Sequence, residues 1–231
     1  TARNGSRLYA SFPYDAGLAG ADYGFWEFTA PLLLDSGGVG LIWAAPPDDA
    51  STFNGPAFAL TGDPTSMVER VNATTSVYSE SGMSFMTPPN PSNLSAMKNR
   101  GAKMMVYHGT SDAIFSSDDT TAWYDSVRAA NEGDASNFAR FYRVPGMNHC
   151  SGGPSTDQFD MLTPLVNWVE KGQTPDGLVA SARVAGNVAG ANPNVPASWA
   201  ANRTRPLCAY PQIARYNGSG DINSASSFSC K

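Results

Sequence analysis

The sequence is short of positive charge: 15 Lys and Arg stand against 20 Asp and Glu, for a formal net charge of −5, and none of the 15 falls between Arg7 and Arg70. With no basic patch to neutralise a phosphate backbone, nucleic acid is excluded as a partner. Long apolar runs are missing as well. The densest, Pro31 to Leu34, stops at Asp35, far short of the roughly 20 residues a membrane-spanning helix needs, so no membrane partner is expected. Cysteine is scarce and odd in number, at Cys150, Cys208 and Cys230. Three buried thiols would satisfy that count, and so would a Cys208–Cys230 bridge stapling the C-terminal tail. The opening Thr1-Ala2-Arg3-Asn4-Gly5 has neither an initiator Met nor the charged and apolar regions of a signal peptide. A processed or truncated product is the reading it suggests.

What is present is a 231-residue chain with 42% hydrophobic and 15% charged residues, the composition of a globular protein able to bury a core. Five Asn-x-Ser/Thr sequons (Asn4, Asn72, Asn93, Asn202, Asn217) permit an extracellular setting. Residues 1–99 have no sustained period and read as part of a lid or insertion domain. Two helices are expected there, one around Phe25 to Leu34 and one from Pro64 to Tyr78, the latter with Asp63 as N-cap and Pro64 at its first position. Residues 100–231 have another texture. Lys103 to Tyr107 is a short apolar run emerging into His108-Gly109-Thr110-Ser111-Asp112, the pattern of a buried strand ending in a polar loop. Ser116 or Ser117 then caps a helix to about Ala130, with Asp118 and Asp119 favoured in its first turn by the helix dipole. A strand follows over Phe138 to Val144, then the loop Asn148-His149-Cys150-Ser151-Gly152-Gly153, then a helix from about Thr156 to Lys171 closed by Gly172. From Thr174 onward a loop-rich tail is expected. Strand, acidic loop, helix, strand, histidine loop, helix is the order of a parallel α/β sheet, whose reactive groups gather beyond the C-terminal ends of its strands.

That order places one carboxylate and one imidazole where they can meet. Asp112 and His149 sit in successive strand-end loops, and adjacent parallel strands bring such loops together. A buried carboxylate fixing the tautomer of a histidine base is two thirds of an ester-cleaving triad. His108 ends its strand and is expected to hydrogen-bond locally; Asp118 and Asp119 are explained by the helix they begin. The nucleophile elbow Gly-x-Ser-x-Gly occurs nowhere.

Three stretches together give a resemblance. They are Tyr107 to Asp112, Val144-Pro145-Gly146-Met147-Asn148-His149-Cys150-Ser151-Gly152-Gly153-Pro154, and the tail Arg205 to Pro211 with Tyr216 to Asp221. Residues 100–231 resemble the C-terminal part of the tannase and feruloyl esterase family. The resemblance implies an α/β-hydrolase fold, a serine carboxylesterase acting on aromatic esters, Asp112 as acid and His149 as base. It also implies that Cys150 is disulfide-linked to the nucleophile loop, on an N-terminal segment carrying the serine, and that Cys208 pairs with Cys230. No metal ligand is assigned to this chain; a structural calcium would belong to the lid upstream, and catalysis needs no cofactor. In relatives that cleave terephthalate monoesters a lid arginine reads the substrate carboxylate, and the span from Leu8 to Glu69 has no counterpart. A neutral feruloyl or galloyl ester is therefore expected, with a terephthalate monoester, or a non-catalytic disulfide-stapled subunit, as alternatives. Phe115, His108 and Trp43 are candidate contacts for the aromatic ring. A secreted or periplasmic location is expected.

Overall fold

The computed structural model describes residues 3–5 and 7–231; Thr1 and Ala2 of the opening stretch and Ser6 of the first sequon lie outside them. The chain forms two compact units. One comprises Thr1–Ala10 and Ala21–Pro91, the other Ser11–Gly20 and Ser92–Lys231. The units thus divide after Pro91, where the sequence alone suggests a break between residues 99 and 100. The short segment Ser11–Gly20 is claimed by the second unit through hydrogen bonds described below.

The first unit is built from short helices. Helix α1 (Ala21–Phe28) is followed by two π-helical segments, Pro31–Asp35 and Gly38–Trp43, then α2 (Gly55–Thr61), α3 (Pro64–Val71) and α4 (Gly82–Met86). The single helix expected around Phe25 to Leu34 is therefore two elements. Asp63 caps α3 by accepting from the N–H groups of Thr65 and Ser66, with Pro64 at the first position. This helix ends at Val71 rather than Tyr78. Asn72 folds its side chain back to donate to the Val68 carbonyl at 2.7 Å, and the following Ala-Thr-Thr supplies no apolar face to continue it. Arg70 ties α3 to the preceding loop, donating to Asp48 at 2.9 and 3.1 Å and to the Pro46 carbonyl at 3.0 Å.

The second unit has the α/β order expected. After α5 (Ser95–Asn99), strand β1 (Met104–Gly109) leads through a loop to α6 (Ser117–Ala129) and back to β2 (Ala139–Val144). The two strands pair in parallel, Met104 opposite Ala139 through Gly109 opposite Val144. Strand β2 is buried on both faces, as a parallel strand should be. On one face Ala139 and Phe141 pack with Tyr124 and Val127 of α6, Ala135 and Phe138. On the other, Tyr142 and Val144 pack with Met147, Leu178, Ala180, Leu207 and Ala209. Side chains alternate along a strand, so His108 shares the α6 face with Met104 and Val106, which pack on the Phe141 cluster.

Helix α7 (Leu162–Lys171) closes on Gly172 in the left-handed conformation (φ 67°). It starts later than the sequence suggests, because Asp160 accepts from the N–H groups of Leu162 and Thr163, while Gln158 bridges extended backbone to Ser181. The tail is more ordered than expected. Strands β3 (Gly177–Ser181) and β4 (Thr204–Cys208) pair antiparallel, as do β5 (Ala214–Tyr216) and β6 (Phe228–Cys230). A Cys208–Cys230 disulfide joins the two pairs across 22 residues of sequence; closing a loop of that size is worth about 3 kcal/mol in the chain-entropy model. Among the described residues no helix is long and apolar enough to cross a membrane.

Candidate active site

The loops that carry Asp112 and His149 leave the C-terminal ends of β1 and β2, and their backbones interlock. Ser111 N–H donates to the Met147 carbonyl at 3.0 Å and Thr110 N–H to the Val144 carbonyl at 3.0 Å. Gly109 makes that approach feasible, since a Cβ there would sit 2.1 Å from the Met147 carbonyl oxygen. Asp112 and His149 meet as a result: His149 Nδ1 lies 2.9 Å from Asp112 Oδ2.

Asp112 is held from both sides of its carboxylate. Its side chain is 5% exposed. Oδ1 accepts from the backbone N–H groups of Ile114 and Phe115, both at 2.9 Å. Oδ2 faces His149 Nδ1 and also His108 Nε2, the latter at 3.2 Å. Burial by itself would raise this carboxyl, but hydrogen bonds from His108, the Phe115 N–H, His149 and the Ile114 N–H outweigh it and bring the pKa down to about 2. The group is an ionised acceptor across the working pH range of proteins.

The partners assign both imidazole tautomers. His108 Nε2 faces two acceptors, Asp112 Oδ2 and the Phe115 carbonyl at 2.9 Å, so it carries the proton. His108 Nδ1 then accepts from the Thr120 hydroxyl at 2.8 Å, a contact available because both side chains lie between β1 and α6. In the neutral tautomer that donates from Nδ1 to Asp112, His149 Nε2 keeps a lone pair, as a general base requires. Its side chain is 37% exposed. The Phe115 ring, itself exposed, tilts against the imidazole with centroids 5.5 Å apart.

The histidine loop is fastened along its length. Gly146 N–H donates to Asp15 and Thr110, Gly152 N–H donates to Asp157 at 2.8 Å, and Gly153 is gripped by Asn192 and Asn194. The Asp157 side chain is fully buried and is paired with Arg183 at 2.5 Å. Between these anchors Cys150 adopts φ 62°, a left-handed conformation that costs a non-glycine residue about 1–2 kcal/mol. Its thiol is free and the residue exposed, whereas Cys208 and Cys230 pair far along the tail.

Tyr107, His108, Gly109, Asp112, Phe115, Met147, His149 and Cys150 line a pocket of about 200 Å³. A larger cavity of about 580 Å³, lined by Arg128, Asp134, Arg140 and Tyr210 among others, contains neither Asp112 nor His149; chemistry rather than size selects the site. Phe115 and His108 are thus beside the pair, but both ring nitrogens of His108 are committed within the protein. Trp43 lies half-buried in the first unit, at the end of its second π-helical segment. No group of three or more His, Cys, Asp or Glu among the described residues is placed to hold a metal ion. Residues that sequence reasoning passed over are Thr120, Asp157, Arg183 and above all Asp15. Thr120, Arg183 and Asp15 act across 12 to 131 positions of sequence, with no local pattern to mark them, while Asp157 also reaches Gly152 five positions away.

Known proteins resemble this chain in the same region. A profile of the tannase and feruloyl esterase family matches residues 50–231. The mono(2-hydroxyethyl) terephthalate hydrolase of Piscinibacter sakaiensis is 49% identical over 161 residues, covering 70% of this chain and 25% of that protein. A probable feruloyl esterase of Arthroderma benhamiae is 34% identical over 142 residues, covering 60% and 24%. The crystal structure of feruloyl esterase B from Aspergillus oryzae superposes with a TM-score of 0.64 at 24% identity, over 100% of this chain and 43% of that one, a likeness of fold. The chain therefore spans about a quarter of the length of the curated relatives it matches. With the match extending over the acid loop, the histidine loop and the disulfide-stapled tail, this chain belongs to the tannase and feruloyl esterase family.

Proposed function

We propose that this chain is the acid- and base-bearing C-terminal part of a serine carboxylesterase acting on aromatic esters, its fold the corresponding part of an α/β-hydrolase with part of a lid. The observation that carries the reading is the His149 Nδ1 to Asp112 Oδ2 contact of 2.9 Å, with the His149 ring lining a pocket. In the reaction a serine hydroxyl attacks the ester carbonyl while His149 Nε2 takes its proton. Asp112 stabilises the imidazolium, which then protonates the departing alcohol; water repeats the sequence to release the acid.

The serine and the oxyanion donors belong, in this proposal, to a segment preceding Thr1, joined through a disulfide to Cys150. The exposed thiol beside the base supports that link. A structural calcium is assigned to the lid upstream, and no catalytic step runs through it. The preferred substrate is a neutral feruloyl or galloyl ester, since residues 8–69 hold no Lys or Arg to read a substrate carboxylate. The 49% identity to the terephthalate monoester hydrolase favours that monoester as the second reading. The Cys208–Cys230 bridge supports an oxidising, secreted or periplasmic setting.

The test is hydrolysis of methyl ferulate and of a terephthalate monoester. The 231-residue chain alone is expected to be inactive, and its assembly with the serine-bearing segment active. Peptide mapping without reduction should place Cys150 in a bridge to that segment. Enzyme-like hydrolysis by the chain alone, abolished in His149→Ala, would refute the divided triad.

A further inference from the structure

The segment Ser11–Gly20 precedes the acid loop by about ninety residues, yet it packs with the second unit. Its centre is Asp15, a carboxylate with donors on every side. Oδ1 accepts from Ser111 Oγ at 2.5 Å and from Gly17 N–H at 3.0 Å. Oδ2 accepts from Thr110 Oγ1 at 2.5 Å and from Gly146 N–H at 3.2 Å. Thr110 and Ser111 lead directly into Asp112, and Gly146 opens the loop that carries His149. One carboxylate therefore binds the acid loop and the histidine loop at once. Thr110 Oγ1 also accepts from Gly146 N–H at 3.1 Å, which closes the ring of contacts. The approach is close: a Cβ at Gly17 would lie 2.3 Å from Ser111 Oγ and 3.0 Å from the Gly146 carbonyl oxygen, so only glycine fits beside the carboxylate.

We infer that Asp15 is a positioning residue for the acid and base pair, a clamp that sets the separation of Asp112 and His149 without touching substrate. The inference rests on the reading of Asp112 and His149 as acid and base. The physical reason is that neither loop is a regular element. The carbonyl-to-amide contacts between them fix their approach along one edge, and Asp15 fixes the other. Charge-assisted hydrogen bonds are about twice as strong as neutral ones, and four of them converge here from three separate stretches of chain. Asp15 is absent from the lining of the pocket that contains His149, so its effect on catalysis is exerted through the loops it holds.

The substitution Asp15→Asn is the informative one. Its amide nitrogen would oppose the Gly146 N–H and could no longer accept from the Thr110 hydroxyl, while Oδ1 would still accept from Ser111 and Gly17. The first readout is the proton resonance of His149 Nδ1–H in the 231-residue chain, which needs no activity. In the unsubstituted protein it is expected downfield and protected from exchange, as for an imidazole bonded to a carboxylate. Asp15→Asn should shift and broaden it, with the far-ultraviolet circular dichroism unchanged. Thr110→Val with Ser111→Ala, which removes two donors from the opposite side, should do the same and serves if Asp15→Asn fails to fold. The second readout is kinetic, in the active assembly with the serine-bearing segment. There kcat should fall about ten- to a hundredfold with KM held within about twofold, the signature of misplacement rather than lost binding. An unshifted His149 resonance and unchanged kcat in both variants would overturn the clamp. An unshifted resonance in Asp112→Asn would instead overturn the acid and base pair, so the two failures are separable.

Discussion

The acid loop and the histidine loop differ in how firmly they hold their functional group. Asp112 is buried and gripped by two backbone N–H groups and two imidazoles, whereas the His149 side chain is over a third exposed and, among the described residues, has one hydrogen-bonding partner, Asp112 itself. The asymmetry suits the proposed roles. A carboxylate that only orients and stabilises gains from being fixed, while a base that must meet an incoming hydroxyl needs one nitrogen free. The loops also differ in where their support comes from. Besides His149, Asp112 is held by near neighbours in sequence, Ile114, Phe115 and His108, whereas the histidine loop draws on Asp157 nearby and on the remote Asn192 and Asn194; Asp15 serves both loops.

Removing the base should produce the largest effect. His149→Ala is expected to lower kcat of the active assembly by about 10⁶-fold, yet to leave the urea midpoint nearly unchanged because so few contacts are lost. Replacing the acid should act on both properties. Asp112→Asn is expected to cost about 10⁴-fold in kcat, through the wrong His149 tautomer. It should also lower stability by about 1.5–3 kcal/mol by weakening hydrogen bonds to a buried charge, read from urea unfolding. A stability loss in His149→Ala as large as in Asp112→Asn would erase the contrast between the loops.

Acid should break the acid loop selectively. With a folded pKa of about 2 against an ordinary 3.8, Asp112 contributes stability that is fully present above the unfolded value. That contribution is lost as pH falls through about 4 toward 2, and amounts to about 2 kcal/mol. Asp15, lowered by its hydrogen bonds from Ser111, Thr110, Gly17 and Gly146 against the opposing effect of burial, acts in the same direction. Unfolding measured from pH 6 to pH 2 should therefore steepen below pH 4, and less so in Asp112→Asn. The smallest effect is expected from Thr120→Val, which removes the hydroxyl that donates to His108 Nδ1. A loss of about 1 kcal/mol in stability is predicted, with kcat reduced only severalfold.

The legible parts of the molecule were those in which cause and effect lie close in sequence. The β1–α6–β2 unit follows from an apolar run, a capping serine and a second apolar run, and its parallel pairing brings Asp112 to His149. The caps at Asp63, Ser116 and Gly172 are likewise local chemistry. The strands of the tail escaped notice because three to five residues such as Ala214–Tyr216 carry no period, and order there depends on the Cys208–Cys230 bridge and on pairing partners far away. Asp15 was illegible for the same reason. A carboxylate before Ala-Gly reads as a turn residue, and its bond to Ser111 exists only once β1 has formed and the loops have crossed.

The central claim is that Asp112 works through His149, and a double-mutant cycle on kcat of the active assembly tests it most directly. Asp112→Asn should cost about 10⁴-fold when His149 is present and less than about twofold in the His149→Ala background, where residual turnover comes from the oxyanion donors and binding alone. A full 10⁴-fold loss in both backgrounds would contradict the account.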